Sequence, residues 1–62
     1  MTNAQAQAYA VIALKGLIED GVVKVKDTTN ACHALDHEMH RLFDTWEEEI
    51  VEKIAIRILE GR

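Results

Sequence analysis

Apolar residues recur along the chain in three blocks at helical spacing, with polar or glycine-containing breaks between them. In the first block Tyr9, Ala10, Val11, Ala13, Leu14, Leu17 and Ile18 cover an arc of about 200°, wider than the stripe of an ordinary surface helix. Gln5, Lys15 and Glu19 mark its polar side, and Ile12 falls outside the apolar arc. The pattern predicts a helix over 4–20, capped by Thr2 or Asn3 and either central in the fold or shared with another chain. In the second block Ala31, Cys32, Leu35, Met39, Leu42 and Phe43 line one face, which predicts a helix over 29–43 after the cap candidates Asp27, Thr28 and Thr29. In the third, Ile50, Val51, Ile54, Ala55, Ile58 and Leu59 form a continuous face expected to be core. A helix over 46–60 is predicted there, with Thr45 as N-cap and Glu48 at the capping-box position. Ile56 points away from that face, among Glu49, Glu52, Lys53 and Glu60.

There is no proline, and Gly21 and Gly61 each follow a helical block, where a left-handed residue ends a helix. Val22, Val23 and Val25 alternate with Lys24 and Lys26, so 22–26 reads as a short extended connector or as an edge that pairs with a second copy. The expected architecture is all-α, a three-helix bundle forming one small domain over 1–62.

A chain of 62 residues buries only about 60% of its unfolded surface, so such domains usually need a supplement: disulfides, a metal or self-association. Cys32 is the only cysteine, which excludes an internal disulfide and fits a reducing, cytoplasmic setting. The net charge of −4 has the wrong sign for direct nucleic-acid binding. The apolar run from Ala8 to Leu14 is too short to span a bilayer, and the start lacks the basic region of a signal peptide, so no membrane partner is expected.

The candidate chemistry lies on the second helix. His33, His37 and His40, the only histidines, share with Asp44 a stripe roughly 60° wide, opposite the apolar residues. Imidazoles one turn apart can chelate zinc or another divalent transition metal, which gives an alternative reading of the stripe as a metal- or pH-responsive site. One ion cannot bridge His33 and His40, two turns apart, so further ligands such as Asp36, Asp44 or a second chain are needed. Protonation of all three histidines cancels three of the four net negative charges. The favoured reading of the stripe is a solvated polar face or a partner contact, without metal or other cofactor. No catalytic grouping is expected: Cys32 and His33 are adjacent in a helix and point about 100° apart, so they do not make a nucleophile–base pair. The glutamates 47–49 suit a helix start and would repel phosphate in a helix-turn-helix docking.

What remains is surface. His33, His37, His40, Asp44 and Ile56 are expected to meet a protein partner, and Tyr9, Ile12, Val23 and Val25 to support homo-oligomerisation. Tyr9-Ala10-Val11-Ile12-Ala13-Leu14, Leu17-Ile18-Glu19-Asp20-Gly21 and Met39-His40-Arg41-Leu42-Phe43-Asp44 resemble, in style and size, short helical proteins carried by bacteriophages and mobile elements. That resemblance implies a protein that acts by binding, as an inhibitor of a host enzyme or defence complex.

Overall fold

A computed structural model describes residues 1–61. The described residues form three helices, α1 (Asn3–Glu19), α2 (Thr28–Thr45) and α3 (Glu48–Leu59), and contain no strand. The fold is all-α, as the periodicity predicts. The 22–26 segment is a connector.

Local chemistry accounts for most of the helix ends. Thr2 and Gln5 form a reciprocal capping box: the Thr2 hydroxyl accepts from the Gln5 amide at 3.1 Å, and Gln5 Oε1 accepts from the Thr2 amide at 2.8 Å. α1 closes in a Schellman turn. Gly21 (φ 77°) donates to the Ile18 carbonyl and Val22 to that of Leu17, which satisfies two carbonyls that the helix leaves open. Asp27 caps α2 through Oδ1, 3.1 Å from the Asn30 amide.

The third helix starts later than its sequence pattern suggests. Thr45 is the last residue of α2, and its hydroxyl donates to the Arg41 carbonyl at 2.7 Å instead of capping α3. The α2 ladder runs on until Trp46, whose amide donates to Leu42 and whose extended backbone ends it. Glu47 then occupies the cap position of α3 without a side-chain hydrogen bond, and Glu48 and Glu49 supply the charge that a helix start favours.

α1 and α2 pack antiparallel along their length. Ala6, Ala10 and Leu14, flanked by Gln7, Val11 and Ile18, meet Ala31, Cys32, Leu35, Met39 and Leu42, and all are half-buried. Alanines on the α1 side let the two backbones approach closely. The Gln7 amide crosses the seam, donating to Asp36 Oδ1 at 3.1 Å and to the Asp36 carbonyl at 3.3 Å.

α3 is different. It makes only marginal contact with this hairpin, and its first turns share a cleft of about 380 Å³ with the open end of the hairpin, opposite the Gly21 turn: Met1, Ala6, Met39, Leu42, Phe43 and Trp46. Of the six apolar residues expected to be core on this helix, only Ile54 is half-buried. The expectation fails because, among the described residues, no element lies along the far half of α3. For the same reason α1 is not central: it has α2 on one side and solvent on the other.

Among the described residues no side chain is fully buried. The chain exposes 5395 Å², whereas a folded monomer of 7.0 kDa exposes about 4,000 Å². The Cα radius of gyration is 12.7 Å, against roughly 10.6 Å for a close-packed chain of this length. Among the described residues no helix is long and apolar enough to cross a membrane.

Two substitutions test the hairpin. Gln7→Ala removes the side-chain hydrogen bonds that Gln7 makes across the α1–α2 seam and is expected to lower unfolding free energy by about 1 kcal/mol. Gly21→Ala forces a side chain into the left-handed region and is expected to cost about 1–2 kcal/mol. Urea denaturation followed by circular dichroism reads both.

Candidate interaction surface

α2 places His33, His37, His40 and Asp44 on one exposed stripe, opposite the face turned to α1. The cause is helical period: the residues that pack on α1 fix the rotation of α2, and the stripe must then face outward. His40 Nε2 lies 3.9 Å from Asp44 Oδ2, a contact that becomes an ion pair when the ring is protonated. Nearby, Arg41 donates to Glu38 through Nε at 3.1 Å and also through its terminal nitrogen. This hydrogen bonding holds the Glu38 carboxyl below its ordinary range. Its support is therefore present at neutral pH and is lost as acid titrates Glu38 through the lowered value.

The stripe borders a shallow furrow between α1 and α2. Gln7, Val11 and Asp36 form its floor, and Ala4, Ala8 and Ile12 form the α1 bank. His40 and His33, with Cys32 and Thr29, form the α2 bank. The two ends of the furrow hold about 510 and 270 Å³ and are open to solvent. The structure thus joins Ile12 to two of the histidines, although sequence reasoning assigned them to separate surfaces. The available signal was that Ile12 lies off the apolar arc of α1, on the side where α2 turns its stripe.

Other candidate residues lie apart. Tyr9 and Ile12 point outward from α1, 70% and 72% exposed. Val23 is half-buried in the connector, and Val25 is partly exposed. Ile56 is exposed on α3 and lines neither end of the furrow. Asp36, considered as an extra metal ligand, is engaged by Gln7. Among the described residues no three His, Cys, Asp or Glu side chains are grouped to hold one ion. The Cys32 thiol is half-buried on the α1-facing side, one residue round the helix from His33, and the two form no hydrogen bond.

The sequence missed the Gln7–Asp36 bridge. Its trace is a polar residue on the same face of α1 as Ala10 and Leu14, which only a polar partner on α2 makes tolerable. Compared with family models, curated proteins and solved structures, the chain matches none.

His40→Ala is expected to leave stability within about 0.5 kcal/mol of the parent, because the contact with Asp44 is solvent-exposed. Chemical denaturation at pH 7 checks this and validates the variant for binding assays.

Proposed function

We propose that this chain is a non-enzymatic protein-interaction module that associates with a second copy and acts by occupying a protein surface. One observation carries the reading: no described residue is buried, while large apolar side chains stand exposed on all three helices. An isolated chain of this kind leaves most of its apolar surface in water, and association is what removes it. The furrow suits a protein partner, since it sets an apolar residue, Ile12, beside ionisable rings in a shallow, elongated depression. The resemblance to phage-borne helical proteins extends the proposal to inhibition of a host enzyme or defence complex in the cytoplasm.

Affinity capture from cells of the native host, using the parent chain and Ile12→Glu in parallel, tests the partner face. Ile12 already lies in solvent, so its charged variant is expected to keep the circular dichroism spectrum of the parent and to lose partner capture at least about tenfold. Equal capture by both chains removes Ile12 from the partner face.

A second reading, a proton- or metal-responsive face, is favoured by the His40–Asp44 approach at 3.9 Å. On this reading zinc raises the melting temperature at pH 7.5 in a way that a chelator reverses, because a ligand that binds the native state stabilises it. An unchanged melting temperature counts against the metal form of this reading.

A further inference from the structure

We infer that the cleft between the start of α3 and the open end of the hairpin is a binding site for a small organic cation, an ammonium group carried on an apolar body. Its volume of about 380 Å³ falls within the range of about 300–1,000 Å³ usual for small-molecule sites. The walls select the body of the ligand. Met39, Leu42 and Phe43 of α2, Trp46 at the joint and Val51 of α3 give the cleft a mostly apolar surface. Phe43, Trp46 and Val51 are still partly open to water, so an apolar occupant gains by covering them.

The rim selects the charge. Glu48 and Glu52 both line the cleft, and among the described residues no lysine or arginine does. Neither carboxylate forms an ion pair among the described residues. They stand one turn apart on α3, where like charges repel, and a nearby cation offsets that repulsion. The aromatic lining favours the same sign. Phe43 and Trp46 are two of the three aromatic residues of the chain, and aromatic rings attract ammonium ions as well as apolar groups. A neutral or anionic apolar molecule suits the walls but not the rim. An occupant touches α2, Trp46 and α3 together, which gives the weakly attached third helix contacts that the hairpin alone does not provide. The cleft shares no lining residue with the furrow between α1 and α2, so ligand and protein partner use different parts of the molecule.

NMR titration of the isotope-labelled full chain tests the site with matched probes on one phenylethyl stem: 2-phenylethylammonium, uncharged 2-phenylethanol and anionic 3-phenylpropanoate. The ammonium is expected to bind in the low-millimolar range, to shift the signals of Met39, Phe43, Trp46 and Val51, and to raise the melting temperature. It is expected to bind at least about fivefold more tightly than the alcohol, and the propanoate more weakly than either. The double variant Glu48→Gln, Glu52→Gln is expected to bring the ammonium close to the affinity of the alcohol and to leave the alcohol unchanged. Ile12→Glu, in the furrow, is expected to bind the ammonium as the parent does. Equal affinity for the three probes, or an ammonium preference that survives the glutamine variant, overturns the cationic selectivity. Shifts centred on the furrow overturn the location, and no saturation by about 20 mM overturns the site itself. Should the glutamine variant fail to fold, the ranking of the three probes on the parent still decides the charge. The partner face is judged separately, by affinity capture.

Discussion

Close approach of α1 and α2 is the constraint on which the rest of the structure depends. Alanine at positions 6 and 10 removes the bulk that would hold the helices apart, and the short Schellman turn at Gly21 returns the chain toward α1. The Gln7–Asp36 bridge ties the register: sliding α2 by one turn would leave both groups half-buried without each other. Once this pair is set, the rotation of α2 is fixed, and with it the outward direction of the histidines. The furrow is a by-product of the same contact, because two cylinders packed through small side chains leave a valley on each flank.

The described residues enclose nothing. Full burial of one leucine or isoleucine contributes about 1.5–3 kcal/mol, and among the described residues none reaches that state. Two helices can cover only one face of each other, and the third is too short and too weakly attached to close the remaining side. A chain built this way has little margin for independent stability, and its apolar side chains have most to gain from a surface it does not itself supply.

Much of the architecture was legible in the sequence because it depends on neighbours along the chain. Thr2, Asp27 and Gly21 occupy the caps that their chemistry suggests, and the histidine stripe follows from spacing alone. The face of α3 shows where this reasoning stops. Period reveals that Ile50, Ile54 and Ile58 share a side, but whether that side meets a neighbour depends on how the chain leaves Trp46, which no repeat encodes. Thr45 fails for a related reason: a hydroxyl can serve the helix before it or the one after it, and here the preceding ladder is still intact at that point. The pairing of Gln7 with Asp36, separated by most of two helices, needs the hairpin itself to become visible.

The single tryptophan stands at the joint where the hairpin ends and α3 begins, partly open to water and touching the cleft that both share. Its indole is therefore placed to register whether α3 is seated, while the amide signal of circular dichroism is dominated by α1 and α2. Emission and ellipticity consequently observe two separate events, and a chain whose third helix detaches before the hairpin melts shows two unfolding curves where a single cooperative unit shows one.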